Sequence, residues 1–417
     1  MKPVQYIIIG AGQRGTGYAT YALEHPELAQ VVGVAEPRDY YRSHLETVHS
    51  IPSGQVFRDW QDAAKRERFA DAVIIATQDT MHVEPALAFL QKGYHVLLEK
   101  PMATNEADCR RIAEAARASG SIFAVAHVLR YTSYTQKLKA LIESGVIGEV
   151  VSIQHLEPVG YWHFAHSFVR GNWRNERESS PILLAKSCHD LDWIRYIMGE
   201  RCTAISSFGN LKHFRKEAQP AGAADRCLEC KIEAQCPYSA QKIYLDQGRR
   251  GPLQWPASVV VADPTPERTE DALRTGPYGR CVYACDNDVP DNQVVNMEFE
   301  NRKTATFTMT AFTEQGNRRT SIFGTRGELY GDGEQIRYVN FLHNQTELVD
   351  IPTLDLTGDS PLHTHNGGDY NLMQHFIAAV ADNDPSQVLS GLEETFETHL
   401  MVFAAERARH EQRVVHL

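Results

Sequence analysis

Three stretches hold residue types whose spacing suits chemistry. The first is Gly10-Ala11-Gly12-Gln13-Arg14-Gly15, preceded by the apolar run Tyr6-Ile7-Ile8-Ile9. A Gly-x-Gly-x-x-Gly turn between strand and helix lets the chain reverse at Gly10. It admits a pyrophosphate to bare backbone at Gly12 and packs the helix close at Gly15. The N-terminus of the helix that follows then offers free N–H groups to phosphate, and Gln13 and Arg14 join the glycines as cofactor candidates. The second stretch is Glu99-Lys100-Pro101. A lysine at a strand's C-terminal edge can hold a substrate hydroxyl and favour its ionised form; the plain alternative is an exposed lysine before a turn. The third is Lys186-Ser187-Cys188-His189-Asp190-Leu191-Asp192. If this is helical, three- and four-residue offsets place Lys186, His189 and Trp193 on one face and let Asp192 orient His189. Histidine is the usual general base near neutral pH; otherwise this is a solvated helix with a structural histidine.

The elements around these stretches read as strands alternating with helices up to about residue 126. Val31 to Ala35 forms a strand ending at Glu36, about twenty residues past the glycine motif, where an acid accepts hydrogen bonds from an adenosine ribose. Glu36 favours NAD, because a carboxylate repels a 2′-phosphate. Arg38 keeps NADP open. Further strands are expected at 55–60, 71–77, 95–98 and 122–126, with helices at 16–25, 40–48, 83–92 and 107–118. This is the pattern of a doubly wound parallel sheet, with the ligand beyond the strand C-termini. After a helix at 135–144 the pattern changes to alternation without helices at 150–156, 304–312, 318–323 and 328–330, as in an antiparallel sheet covered on one face. Helices follow at 369–381, with Asp369 as N-cap, and at 393–409. The expected organisation is a Rossmann domain at 1–126 and an α+β domain at 127–417 with a large open, mostly antiparallel sheet. An insertion at about 218–288 interrupts the second domain.

At 417 residues and 42% hydrophobic composition, the chain can build two cores. The net charge of −11 speaks against a nucleic-acid surface. No apolar run reaches membrane-spanning length, so no membrane partner is expected. Met1-Lys2-Pro3 leads directly into the first strand without a signal-peptide pattern, which predicts a cytoplasmic location.

Taken in order, the glycine motif, Ala76-Thr77-Gln78-Asp79-Thr80-Met81-His82, Glu99-Lys100-Pro101, Leu141-Ile142-Glu143-Ser144-Gly145-Val146-Ile147-Gly148-Glu149-Val150, His189 with Asp192, and Phe323-Gly324-Thr325-Arg326-Gly327-Glu328-Leu329 resemble the Gfo/Idh/MocA oxidoreductases. The resemblance spans about residues 4–410. It implies a bound nicotinamide, oxidation or reduction of a secondary alcohol of a sugar, polyol or glycoside, and a homodimer or homotetramer formed through the C-terminal sheet. It places Thr77, His82 and Glu99 on the cofactor side and the family's lysine and histidine at Lys100 and His189. The family's aspartate four residues before the histidine is replaced by Ala185. Lys186 then becomes a third catalytic candidate. Asp192, His127, Trp173, Arg174 and His365 are assigned to the substrate; Trp162, His163 and His166 add groups suited to a sugar face. Some relatives oxidise a glycoside transiently and hydrolyse it with net redox neutrality, which is the alternative activity; a non-catalytic NAD sensor is a third.

Cys227-x2-Cys230-x5-Cys236 and Cys281-x3-Cys285 supply five cysteines within the insertion. A Cys-x-x-Cys pair is a common zinc half-site. The expectation is a structural zinc on Cys227, Cys230 and Cys236 with Cys281, or else Cys285, as fourth ligand, and with buried thiols, disulfides or an iron–sulfur cluster as alternatives.

Overall fold

The computed structural model describes residues 2–246, 255–352 and 360–417. The first sheet has the order β3-β2-β1-β4-β5-β6, all parallel. Its strands are β1 (Val4–Ile9), β2 (Ala29–Ala35), β3 (Val56–Phe57), β4 (Ala72–Ile75), β5 (His95–Leu98) and β6 (Phe123–Val125). Ile7, Ile8, Val73, Ile74, Val96 and Leu97 are wholly buried because helices cover both faces. The order reverses between β1 and β4, which opens a crevice at their C-terminal ends. Gly10, Glu36, Thr77 and Lys100 all follow strand ends at this rim. β3 is shorter than expected: the Asp59 carboxylate accepts from Gln61 N and starts the helix Trp60–Lys65.

The second sheet has nine strands in the order β14-β13-β12-β11-β7-β10-β9-β8-β15. They are β7 (Val150–Pro158), β8 (Cys202–Asn210), β9 (Asn292–Phe299), β10 (Thr304–Thr310), β11 (Arg319–Gly324), β12 (Gly327–Gly331), β13 (Ile336–Asn340), β14 (Gln345–Val349) and β15 (Val415–His416). Only β7 and β10 run parallel. Along β10, Ala305, Phe307 and Met309 are buried while the threonines face out. The covered face packs on the helices Cys188–Met198 and Leu392–Glu411.

Three local expectations are corrected. The helix begun at Lys186 is broken: a short helix Ile182–Ala185 precedes Cys188–Met198, and Lys186 sits at the break. Asp369 does not cap its helix. Gly367 holds the N-cap position of Gly368–Asp382, and the Asp369 carboxylate bonds Arg14, Thr364 and His365 instead. The insertion is more than a loop, since Thr265 caps a helix at Pro266–Thr275; its residues 247–254 lie outside the described residues. The helix Gly368–Asp382, sequence-distant from the first sheet, buries Leu372, Met373 and Phe376 in one core with Tyr6, Ile8 and Tyr18. A helix that follows the second sheet in sequence thus packs onto the first.

Candidate active site

The glycine turn has the shape a dinucleotide requires. Gly10 has φ +89°, and a Cβ there would lie 2.6 Å from the Ala76 carbonyl oxygen; at Gly15 it would lie 1.9 Å from the Gly10 oxygen. Gly12, by contrast, faces open space apart from Arg38 Nη2 at 3.6 Å. No side chain caps the helix Gln13–Glu24, so its first N–H groups remain for an anion. These residues fit a pyrophosphate. Gln13 also donates to Ser258 Oγ at 3.2 Å, so the insertion reaches over this turn.

Glu36 is 2% exposed and accepts from Ala11 N at 2.9 Å. Arg38 donates to both of its oxygens, at 2.6 and 2.9 Å, while stacking on Tyr41. Burial would raise the Glu36 carboxyl, but the Arg38 hydrogen bonds outweigh it and hold the pKa below the usual range. The acid and base that argue for opposite coenzymes therefore neutralise each other.

The remaining cofactor-side candidates mostly act on the scaffold. Arg14 turns away from the turn and bonds Tyr18, Glu99 and Asp369. Glu99, buried, accepts from Tyr18 and from Lys100 N at 2.9 Å, which fixes the backbone of the lysine. His82 is wholly buried between the Pro101 and Thr77 carbonyls, at 2.7 and 3.2 Å. It ties two strand-end loops together. Thr77 lies beside Gly10.

Lys100 crosses the cleft. Its Nζ donates to the Ala185 carbonyl at 2.6 Å, bringing it to the segment that carries Lys186 and His189. His189 is buried, with its ring 5.7 Å from that of His127 and 6.4 Å from that of His365; its Nδ1 has no partner among the described residues. Burial, and then the Lys100 charge, holds its pKa well below the ordinary value. The imidazole is thus neutral and able to take a proton. His127 is pushed down to about 3, chiefly by burial.

Lys186 Nζ lies 3.4 Å from Glu157 Oε1. Arg318 Nε lies 2.6 Å from Glu157 and donates to Asp190 at 2.9 Å; Asp190 is also 3.2 Å from His155 Nε2. Burial lowers the Lys186 pKa despite the Glu157 carboxylate. His163, tilted against Trp162 and edge-on to Trp255, is held well below its ordinary pKa by burial and by the Lys186 charge. The site is therefore a cationic pocket lined by neutral imidazoles, suited to an oxygen that gains negative charge.

Two substrate-side candidates, His127 and His365, flank His189. Asp192 does not orient His189, contrary to expectation. Arg130 clamps it at 2.8 Å through both oxygens, and Thr398 adds a third bond, with His127 3.7 Å away. Trp173 donates to Asp79 at 3.1 Å, joining the two domains. Arg174 is occupied by Asp286 and Glu178. Cys227, Cys230, Cys236 and Cys281 line one cavity of about 190 Å³, while Cys285 does not. No three of these sulfurs come within 4.8 Å of one another among the described residues. A single tetrahedral zinc, at about 2.3 Å from each thiolate, needs them about 3.8 Å apart. The expected zinc geometry is not formed.

Sequence reading missed Glu157, Asp190, Arg318 and Trp255. For Glu157 a signal existed: with Ile153 and His155 it occupies alternate, buried positions of β7, where a polar residue is unexpected. For Arg318 and Trp255 only the fold supplies the neighbours.

Residues 4–127 match the profile described as the oxidoreductase family with NAD-binding Rossmann fold, and residues 139–249 and 254–417 match that family's C-terminal alpha/beta domain. The chain is 28% identical over 211 residues to a 2,7-anhydro-N-acetylneuraminate hydratase of Escherichia coli, covering 50% of this chain and 54% of that one. It is 27% identical over 200 residues to an inositol 2-dehydrogenase of Streptomyces avermitilis, covering 48% and 54%. The matched stretches thus span little more than half of these relatives. A levoglucosan dehydrogenase solved with NADH and levoglucosan shares the fold, with TM-score 0.71 over 99% of both chains at 16% identity. Among the described residues, no helix is long and apolar enough to cross a membrane.

Proposed function

Because the chain belongs to the Gfo/Idh/MocA oxidoreductase family, we propose that it transfers hydride between NAD and a secondary hydroxyl of a sugar, polyol or anhydro-sugar. The observation that carries this reading is the meeting of Lys100, from the first sheet, with the Ala185–His189 segment of the second domain. Gly10, Gly12, Gly15 and the first turn of the following helix would hold the pyrophosphate, and Glu36 the adenosine ribose. A bound nicotinamide would supply the hydride acceptor. Lys100 would donate to the substrate hydroxyl and stabilise the developing alkoxide; His189, kept neutral, would take the proton. His127 and His365 would border the sugar, and Trp162, His163 and Trp255 would offer it an apolar face. Homo-oligomerisation through the open sheet remains part of the reading.

One observation favours a second, redox-neutral reading. The partly buried Lys186, its pKa lowered by desolvation, is an added base beside the site. After oxidation of one carbon, the neighbouring C–H is acidified by the new carbonyl. Lys186 would remove that proton as an oxygen substituent leaves; water addition and return of hydride then close the cycle. The hydratase relative supports such chemistry.

The test is incubation of the purified protein with NAD and a panel of polyols, sugars, anhydro-sugars and glycosides, following NADH and product together. NADH accumulation supports the dehydrogenase. Product without NADH supports the second reading. Neither, from a protein shown to bind NAD, overturns both.

A further inference from the structure

Arg170 is a buried cation. It is 1% exposed and lies in the segment Ala165–Arg170, over the cysteine cavity. Its Nε donates to the Arg280 carbonyl at 2.7 Å, and Nη2 donates to the Tyr238 carbonyl at 2.8 Å and to Cys227 Sγ at 3.4 Å. Nη1 is buried with no hydrogen-bond partner among the described residues. A guanidinium is always charged, and buried charges are paired. Around it the cavity gathers four cysteines and one carboxylate, Glu233, which accepts from Ser239 Oγ. Four sulfurs converging on one cavity beside a buried cation make a metal-ligand set. Metal ligation deprotonates them.

The spacing then separates one metal ion from several. The four sulfurs line a common cavity of about 190 Å³ yet stand too far apart, in any set of three, for one tetrahedral ion. In an iron–sulfur cluster the irons and sulfides lie between the ligand thiolates and separate them. Three clustered cysteines with a fourth far along the chain also match the usual ligand layout. The geometry points to an iron–sulfur cluster held by Cys227, Cys230, Cys236 and Cys281, with Arg170 balancing its negative charge. Cys285 is spare: its thiol bonds the Cys281 carbonyl at 3.3 Å.

The cluster has a structural task. From Cys236 the chain runs through Tyr238 to Tyr244, whose hydroxyl is 2.9 Å from His166 Nδ1, and His166 lies against Trp255. The same insertion sends Ser258 to Gln13. A fixed cysteine cavity thus fixes the wall of the proposed substrate pocket.

The full-length protein is purified without oxygen from iron-supplied cells and assayed for iron, acid-labile sulfide and zinc, with visible absorption. The expected result is iron and sulfide in equal amounts, about two to four of each per chain, with sulfide-to-iron charge-transfer absorption. Cys285→Ala keeps this content, and Cys236→Ala loses it. About one zinc per chain without iron or sulfide overturns the assignment, as does metal-free protein whose cysteines all titrate as thiols. The wild-type assay decides the matter even if Cys236→Ala fails to fold.

Discussion

Lys100 Nζ and the Ala185 carbonyl oxygen are 2.6 Å apart, across the cleft between the two sheets. Where the family resemblance anticipates an aspartate carboxylate, this chain presents a backbone oxygen. An ammonium held by a neutral carbonyl keeps its full charge for the substrate. Lys100→Met and His189→Ala should each lower kcat by about a hundredfold to ten-thousandfold. NAD affinity, measured by fluorescence titration, should stay within about threefold for both, since neither side chain belongs to the glycine turn.

Lys186→Arg keeps the charge beside Glu157 but installs a group that does not deprotonate. On the redox-neutral reading, product formation should fall by about a hundredfold or more, while exchange of label between NADH and substrate persists. Equal loss of exchange and product would instead make Lys186 a general electrostatic support.

Glu36→Gln removes the carboxylate that engages Arg38 and repels a 2′-phosphate. Arg38, exposed and next to Gly12, is then free to pair with that phosphate. The ratio of kcat/KM for NADP over NAD should rise by about tenfold to a hundredfold, equivalent to about 1.4–2.8 kcal/mol. An unchanged ratio would place the adenosine ribose elsewhere.

Arg318 joins Glu157 to Asp190 in the interior. Arg318→Met leaves two buried carboxylates with less compensation. Breaking a buried ion pair costs about 3–5 kcal/mol, and urea unfolding should report a loss of that order. Glu157→Gln should cost less, because Lys186 is not fully buried.

His127, His163, His189 and His399 all have folded-state pKa values below the ordinary one, with burial the leading cause in each. Unfolded, they bind protons below about pH 6.5; folded, they resist. The unfolded chain therefore holds more protons in that range, and stability falls as pH drops. For His127 the window extends down to about 3. Each such group contributes a slope of about 1.4 kcal/mol per pH unit within its window. Urea midpoints should decline steadily from pH 7 to 5, and His127→Gln should flatten the decline. An unchanged slope would mean that His127 is charged when folded.

The alternation of strand and helix and the glycine turn were legible in the chain itself; the strand order, and so the reversal point, was not. The legible features rest on neighbours in sequence: apolar runs of strand length, a residue without Cβ, an acid after the next strand. His95–Leu98 could be bounded from such signals alone. Sequence also singled out Lys100, Lys186 and His189 by type and spacing. It did not decide what they touch. Asp192, three residues from His189, looked like its partner. The fold places Arg130 against both Asp192 oxygens, and a buried carboxylate goes to the strongest available donor. Arg14 looked like a phosphate ligand, and a helix distant in sequence brought Asp369 to it. The cysteines announced a shared site; only packing set them around a cavity with Arg170 on its wall. Periodicity and turn chemistry are local properties and can be read along the chain. Charge pairing depends on which distant segments the hydrophobic cores bring together, so it was settled by the tertiary structure.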